Sequence, residues 1–409
     1  MLDFLEILAS IIGYVVVAAA AAVAIAETVV RVYRAIDSRF FTELVSRRDY
    51  IDPAYHPYLH FVDDWSRAMF RYLPIGLRLF NTEISVPGRI TNNSLGFRCP
   101  EFTDRDRDEM RAILLGGSQA WGCGASSNET TIAGHLERLM NDKGELLAGR
   151  KRARVFNLAQ INGLQTQDIL TTVFYGSRLE PEIAVSVTGW NELVVNYMLD
   201  RNLMEKFRVF YVDEMEGWEP PQVIGRNERL LKECLERWLR RTSASFDALW
   251  PRKKEPELVL DQAIRDRVEV TSEIFCEHLR HLTALGKAYG FTHVQILQPH
   301  LYRKRFATPE EERIVELYEE ARPVFGGKAA GEYLRGANVY GHVVDRIRES
   351  PEEFGPVLDL SEMFLDEREK MFYTLVHLTD AGYVRMAERI YGVLRQLSRN
   401  PGLTGLVEG

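Results

Sequence analysis

The stretch Ile113-Leu-Leu-Gly-Gly-Ser-Gln-Ala-Trp-Gly-Cys-Gly124 decides how this chain folds. An apolar run reaches a Gly-Gly-Ser turn, and a helix-like segment opens shortly afterwards, within 129–139. This order places Ser118 at the carboxyl end of a parallel strand, the edge where open α/β sheets hold their sites. A serine there is either a nucleophile or a helix cap, so the rest of the chain has to distinguish the two roles.

Segments typical of strands and helices alternate along the rest of the chain. Strands are predicted at 111–115, 155–158, 183–188, 293–299 and 356–360, and helices at 130–141, 164–175, 258–289, 309–321, 333–347 and 379–397. This alternation is typical of a parallel sheet. Because the strands are apolar without strict alternation, helices should cover both faces. The prediction is a three-layer α/β fold with a five-stranded parallel sheet.

Composition and charge limit the classes of function. The 409 residues suffice for one large or two ordinary domains, and the net charge of −8 gives no reason to expect a nucleic-acid partner. None of the four cysteines belongs to a Cys-x-x-Cys pair, so neither a zinc site nor a disulfide framework is indicated. His278 and His281 are predicted to be surface histidines rather than metal ligands, because no third ligand is placed near them.

Residues 7–26 form a continuous uncharged segment in which most residues are Ala, Val, Ile or Leu. About 20 such residues span the hydrocarbon core of a bilayer. Asp3 and Glu6 precede the segment and no Lys or Arg does, unlike the start of a cleaved signal peptide. The prediction is a single-pass transmembrane helix in a bacterial-type inner membrane, with a buried core helix as the alternative.

Basic residues beside a membrane span indicate its orientation. The flank before 7–26 has no Lys or Arg, whereas the flank after it carries Arg31, Arg34, Arg39, Arg47 and Arg48. This bias favours a soluble body on the cytoplasmic side. A periplasmic body is the alternative, since long domains can translocate against the bias.

The chain divides into four regions. They are an anchor with a juxtamembrane helix at 1–50, a lead-in at 51–110, the α/β domain at 111–400 with an insertion at 201–257, and a tail at 401–409.

Aromatic residues and arginines interleave from Trp65 to Phe80, as in interfacial segments; the alternative is a short helix packed on the body. A basic aromatic patch at 236–241 and 252–254 is either a solvated face or a contact with anionic lipid or a partner.

Four residues at the same predicted sheet edge could carry out acyl transfer. Such chemistry needs a hydroxyl, a base, a group that orients the base, and donors for an oxyanion. Ser118 supplies a hydroxyl, and His377 precedes the last helix and can serve as the base. Gly163 follows the second strand and offers a backbone N–H, and Asn191 follows the third strand and offers a side-chain N–H. Their order along the chain brings all four to one edge.

These motifs resemble the SGNH (GDSL-like) hydrolase superfamily over about 92–396, interrupted by the insertion. Gly116-Gly-Ser118 resembles its first block, with Gly117 where Asp is common, and Asn93-Ser-Leu-Gly-Phe-Arg98 resembles a segment preceding that block in membrane-associated bacterial members. Gly189-Trp-Asn191-Glu192 resembles the Gly-x-Asn-Asp block, and 376–382 resembles the Val-His-Leu-x-x-x-Gly end block. The resemblance implies a flavodoxin-like SGNH fold and no metal or organic cofactor.

The chain departs from the family pattern at two places. The family keeps an Asp three residues before the histidine, where this chain has Thr374. The carbonyl of Thr374 is the predicted substitute that holds the His377 ring, ahead of Asp359 and Asp380. The loop from Asn157 to Gly163 is also one residue longer than the family spacing.

Two functions follow from this resemblance. The first is a membrane-anchored serine esterase or acyltransferase in which Ser118 attacks an ester, His377 takes its proton, and Ser118, Gly163 and Asn191 hold the oxyanion. The family implies O-acetylated glycans, lipids or small esters as substrates, with water or a sugar hydroxyl as the acceptor. The second is a catalytically impaired SGNH-fold protein that is a structural subunit of a membrane complex, which the Thr374 substitution motivates.

Overall fold

The computed structural model describes residues 70–72, 78–80, 90–161, 163–192, 262–320 and 339–407. The predicted membrane span at 7–26, the juxtamembrane helix, the insertion at 201–257 and the basic aromatic patch lie outside these ranges. Among the helices inside them, none combines the length and the apolar character that crossing a bilayer requires.

A parallel sheet of six strands forms the centre of the molecule. Its strands are β3 (Glu109–Gly116), β4 (Arg152–Asn157), β5 (Ile183–Thr188), β6 (Thr292–Leu297), β7 (Pro356–Asp359) and β8 (Gly405–Val407). Their spatial order is β4, β3, β5, β6, β7, β8, and every neighbouring pair is parallel. The predicted count of five is one short, because β8 lies in the predicted tail and adds a three-residue edge beside β7.

The described helices are α1 (Ser118–Trp121), α2 (Ile132–Lys143), α3 (Gln165–Phe174), α4 (Gln262–Tyr289), α5 (Pro309–Glu320), α6 (Val339–Glu349) and α7 (Asp380–Arg399). Helices pack on the sheet in two groups, α2 with α7, and α4 with α3 and α6. Strand β3 is buried along all eight of its residues, so both faces of the sheet are covered there. This burial on two faces explains why the strands read as continuous apolar runs.

Part of the lead-in forms a hairpin. Strands β1 (Phe70–Tyr72) and β2 (Arg78–Phe80) pair antiparallel, with Phe70 opposite Phe80. The alternative of a short helix over Trp65–Phe80 is therefore wrong for these six residues, which include Phe and Tyr, residue types that are common in strands. The other residues of that segment lie outside the described ranges.

The prediction of two surface histidines is wrong for one of them. His278 is buried on α4, whereas His281, three residues later, is exposed. Their ring centroids are 6.1 Å apart. Because α4 is amphipathic and packs on both α3 and α6, one turn of it presents one histidine to the core and the other to solvent.

Glycines end the two strands that lead into the candidate site. Gly116 ends β3 with φ +129°, and Gly189 follows β5 with φ +134°, a backbone region that favours glycine. A Cβ on Gly116 would lie 2.2 Å from the Val187 carbonyl oxygen of the neighbouring strand. These two positions turn the chain sharply at the carboxyl edge of the sheet.

Candidate active site

Ser118 and His377 meet at the carboxyl edge of the sheet. The Oγ atom of Ser118 lies 2.8 Å from Nε2 of His377, across 259 residues of sequence. Both residues are buried. Gly117, not Ser118, occupies the cap position of α1, and Ser118 is its first helical residue. The hydroxyl is thus directed to a base, and the alternative role of Ser118 as a helix cap is wrong.

A hydroxyl occupies the position of the expected acid behind the base. Oγ1 of Thr374 lies 2.9 Å from Nδ1 of His377, so the side chain makes the contact predicted for the Thr374 carbonyl. The same oxygen accepts backbone N–H groups from His377 at 3.0 Å and Val376 at 3.3 Å. The Thr374 hydroxyl can donate to Nδ1, which puts the ring proton on Nε2, facing Ser118. It can also accept from Nδ1–H, which leaves Nε2 free to take the Ser118 proton.

The two carboxylates considered as substitutes serve other roles. Asp359 is exposed at the end of β7, where its Oδ1 accepts the Ser361 N–H at 2.9 Å. Asp380 lies in the first turn of α7 and accepts the Ser126 N–H at 2.9 Å. Each ties a loop to an element end, so Thr374 is the residue that contacts the outer nitrogen of His377.

A short hairpin presents His377. Phe372 and Leu378 form an antiparallel bridge, and the Tyr373 N–H donates to the His377 carbonyl at 2.8 Å. The turn closes over Thr374, so the spacing of three residues between it and His377 is set by the hairpin itself. The hydrogen bond from Thr379 to the Met371 carbonyl, at 2.8 Å, completes the base of this hairpin.

A buried ion pair supports the hairpin from below. Lys304 and Glu311 pair with both side chains fully buried. The other oxygen of Glu311 accepts the N–H groups of Met371 at 2.9 Å and Phe372 at 3.1 Å, where the hairpin begins. Lys304 also donates to the Glu369 carbonyl. The buried pair therefore fixes the backbone at the beginning of the hairpin.

The predicted oxyanion residues come together, but in different roles. Nδ2 of Asn191 donates to the Gly163 carbonyl at 2.8 Å, which leaves its second N–H available. The Gly163 N–H donates to the Gln160 carbonyl at 2.9 Å, so in this structure the glycine positions Asn191 and its own N–H is engaged in a turn. The N–H of Ser118, at the first position of α1, has no partner within the helix.

Gly117 makes room for this arrangement. A Cβ on Gly117 would lie 2.6 Å from Nδ2 of Asn191 and 3.3 Å from the Gly163 carbonyl oxygen. A side chain at this position would push the amide away from Ser118. A glycine at this position is thus matched to the close approach of Asn191.

Gln119 joins the two halves of the site and was not predicted from the sequence. Its Nε2 donates to the carbonyls of Val376, directly before the base, and of Pro299, after β6, the latter at 3.2 Å. Gln119 is almost fully buried. No sequence pattern marks it, because the residues it bridges are up to 257 positions away.

Arg98 gives the lead-in motif a structural role. Its Nη1 donates to the Gly122 carbonyl at 2.8 Å, its Nε donates to Asn128 at 2.9 Å, and its guanidinium lies 4.6 Å from the centre of the Trp121 ring. Burial lowers the pKa of Arg98 to about 10. A cation at the carboxyl end of α1 is electrostatically favourable. The segment 93–98 therefore holds the helix that begins with Ser118.

Comparisons with known proteins give limited information. No family model and no curated protein matches the chain. Among solved structures, the acetyl xylan esterase AlAXEase aligns at TM-score 0.33 and 10% identity, covering 69% of this chain and 99% of its own. The lipase Lip_vut3 from a goat rumen metagenome aligns at 0.37 and 12% identity, covering 69% and 96%. A GDSL-like lipase from Bacteroides thetaiotaomicron VPI-5482 aligns at 0.32 and 11% identity, covering 72% and 92%. Overlaps this weak decide neither family nor activity.

Proposed function

We propose that this chain is a serine esterase of the SGNH type, acting through Ser118 and His377. The observation that carries the proposal is the 2.8 Å contact between Ser118 Oγ and His377 Nε2 at the carboxyl edge of a parallel sheet. A hydroxyl hydrogen-bonded to an imidazole that is itself held by a third group is the arrangement of an activated nucleophile.

The first half of the reaction forms an acyl-enzyme. Ser118 Oγ attacks the ester carbonyl carbon while Nε2 of His377, in the tautomer protonated at Nδ1, takes the hydroxyl proton. The carbonyl oxygen becomes an oxyanion, held by the Ser118 N–H and the second N–H of Asn191. The intermediate collapses, the C–O bond to the alcohol breaks, and His377 returns the proton to the leaving alkoxide.

The second half releases the acyl group. Water, or a sugar hydroxyl, attacks the acyl carbon while His377 takes its proton, and the Ser118 oxygen leaves and is reprotonated from His377. Water gives a carboxylic acid, and a sugar hydroxyl gives a new ester. O-acyl esters such as acetylated glycans, lipids or small esters are the substrate class we propose, and the reaction requires no metal or organic cofactor.

A catalytically impaired scaffold is the second candidate, and Thr374 is the observation that favours it. If the Thr374 hydroxyl donates to Nδ1, the Nε2 atom of His377 carries a proton and cannot accept one from Ser118. A chain locked in this tautomer would be a structural subunit of a membrane complex rather than an enzyme. It should then leave mild detergent with stoichiometric partners and show no turnover.

We also propose that residues 7–26 anchor the protein in the membrane, with the body on the cytoplasmic side and the segment Trp65–Phe80 at the lipid interface. The uncharged run and the arginines that follow it support this arrangement. Resistance to alkaline extraction from membranes tests the anchor. Digestion of the body by protease in intact spheroplasts would contradict the cytoplasmic orientation.

Labelling with a fluorophosphonate tests the enzyme directly. The folded wild type should be modified at Ser118, and Ser118→Ala should lose both labelling and turnover of short-chain esters, by roughly 10³-fold or more. Ser177→Ala is the matched control, because Ser177 follows α3, donates to the Val173 carbonyl and should leave labelling unchanged. A folded wild type that is never labelled contradicts the proposal.

A further inference from the structure

Two buried carboxylates lie directly behind the turns that carry Ser118 and Asn191. Oδ1 of Asp168, on α3, accepts the Gly116 N–H at 2.9 Å. Oε2 of Glu192, one residue after Asn191, accepts the Gly189 N–H at 2.8 Å. Both acids are at most 2% exposed. Each of the two glycines that turn the chain into the site is therefore held by a buried acid.

Hydrogen bonding divides the negative charge unequally between the two acids. Glu192 uses both oxygens, because Oε1 also accepts the Gln165 N–H at 2.8 Å, at the first residue of α3. The N-terminus of a helix stabilises an anion. Asp168 has one engaged oxygen, and its Oδ2 has no hydrogen-bond partner within the described ranges. Glu192 is thus the better site for a charge, and Asp168 is the better site for a proton.

The groups around the pair also favour a proton on Asp168 and a charge on Glu192. Burial, followed by the charge of Glu192, raises the pKa of Asp168 well above its usual range, and burial raises the pKa of Glu192 to about 7. From α6, the Tyr340 hydroxyl faces Gly189, and burial and the charges of Glu192 and Asp359 raise its pKa while Arg303 opposes them. From β3, it is the Gly116 N–H that reaches Asp168.

We propose that Asp168 and Glu192 are a pair of positioning residues that carries one negative charge, on Glu192, and sets the nucleophile turn in register with the oxyanion amide. The inference rests on the proposed esterase function. Ionised Glu192 holds two N–H groups, at the turn before Asn191 and at the start of α3. Neutral Asp168 holds the turn before Ser118 without adding a second buried charge, which would repel the first.

The two amide substitutions should therefore differ. Asp168→Asn replaces a neutral acid by a neutral amide that keeps an acceptor for the Gly116 N–H, so kcat should stay within about threefold of the wild type. Glu192→Gln places an NH₂ group against a backbone N–H, so kcat should fall by at least about tenfold, because that buried N–H loses its acceptor. Thermal unfolding shows that each variant is folded.

The pH profile separates positioning from simple structural damage. Activity of the wild type should fall at low pH as the enzyme takes up two protons, because both His377 and Glu192 must be deprotonated. The acidic limb of its kcat/KM profile should be steeper than that of a single ionisation. The acidic limb of Glu192→Gln should have the slope of a single ionisation, whereas Asp168→Asn should keep the steeper acidic limb of the wild type.

Infrared difference spectra report the protonation state of Asp168 without a measurement of activity. They compare the inactive variant Ser118→Ala with the double variant that also carries Asp168→Asn. At neutral pH the substitution should remove one carbonyl band of a protonated carboxylic acid. If no such band is lost, the assignment of the proton to Asp168 is overturned, whether or not Glu192→Gln folds.

Activity outcomes distinguish this inference from the proposed function. A wild type that is labelled at Ser118, with Glu192→Gln as active as the wild type or Asp168→Asn equally impaired, overturns the pair alone. A wild type that is not labelled overturns the esterase and, with it, the role of the pair in catalysis.

Discussion

The nucleophile turn and the histidine hairpin reach the same site by different means. Ser118 follows a fully buried strand, and its turn is fixed within a few residues by Gly116 and Gly117. His377 lies in a hairpin beyond β7, with one antiparallel bridge between Phe372 and Leu378, and depends on side chains from elsewhere. The nucleophile turn thus depends on glycines at the end of a strand, with Asp168 behind them, whereas the hairpin of the base depends on a buried ion pair. Substitutions on the two sides should fail in different ways.

The largest expected effect is on the turn. Gly117→Asp introduces the residue that SGNH enzymes commonly have at this place, yet its Cβ would lie 2.6 Å from Nδ2 of Asn191. We expect kcat to fall by about 10²–10³, as when an oxyanion donor is removed. The measurement is steady-state turnover of a short-chain ester. Gly392→Asp is the control, since no heavy atom lies within 4 Å of that Cβ position. An active Gly117→Asp variant would show that the amide has room to move.

A substitution that weakens the histidine hairpin should lower the free energy of unfolding. Glu311→Gln leaves the Lys304 charge buried without its partner and weakens the acceptor for Met371 and Phe372. We expect a loss of about 3–5 kcal/mol in the free energy of unfolding, measured with denaturant. Glu353→Gln breaks an ion pair of similar composition with Arg280 on the surface and should cost under about 1 kcal/mol. Equal losses in the two variants would contradict the special role of the hairpin network.

An acid behind the base should have the opposite effect and raise turnover. Thr374→Asp supplies a carboxylate that accepts from Nδ1 of His377 and leaves Nε2 free to take the Ser118 proton. We expect kcat to rise by about tenfold or more, since loss of the acid costs ~10⁴ in one triad. Thr374→Val, which removes the hydroxyl, tests whether this group orients the ring in the wild type. No gain in the aspartate variant would mean that the tautomer does not limit the rate.

The smallest effect is expected behind the turn. Arg98→Lys keeps the charge but loses the fork that reaches both Asn128 and Gly122, and most of the contact with Trp121. We expect about 1–2 kcal/mol of lost stability, measured by thermal unfolding, with a minor effect on turnover. Arg348→Lys on an exposed part of α6 should change neither. A large loss of turnover at unchanged stability would instead place Arg98 closer to the reaction.

The fold was predicted from local strand and helix patterns in the sequence. Strand β5 occupies the predicted residues 183–188, and Thr379, the first residue of the predicted last helix, caps α7 by accepting the Gly382 N–H at 3.1 Å. Strand β8 was missed because three residues at a sheet edge show no periodicity. The short helix α1 was missed for the same reason, since four residues complete little more than one turn.

The site could be predicted only as far as its motifs extend. The structure brings Ser118, Asn191 and His377 to one edge, as the strand order predicted. The groups that hold them could not be predicted, because Gln119 and Glu311 act through contacts between distant segments. The sequence around a polar residue does not indicate which distant carbonyl or N–H group its side chain will contact in the fold.

The strand order of the sheet has a consequence for how this protein could be altered. Strands β3 and β5 are neighbours, although β4 lies between them in sequence and pairs on the outer side of β3. Connections that leave such a pair diverge to opposite faces and open a crevice between them. The location of the chemistry is then a property of connectivity, which point substitutions do not change. Specificity could therefore be changed in the loops at this edge of the sheet while Ser118, Asn191 and the strands beneath them stay as they are.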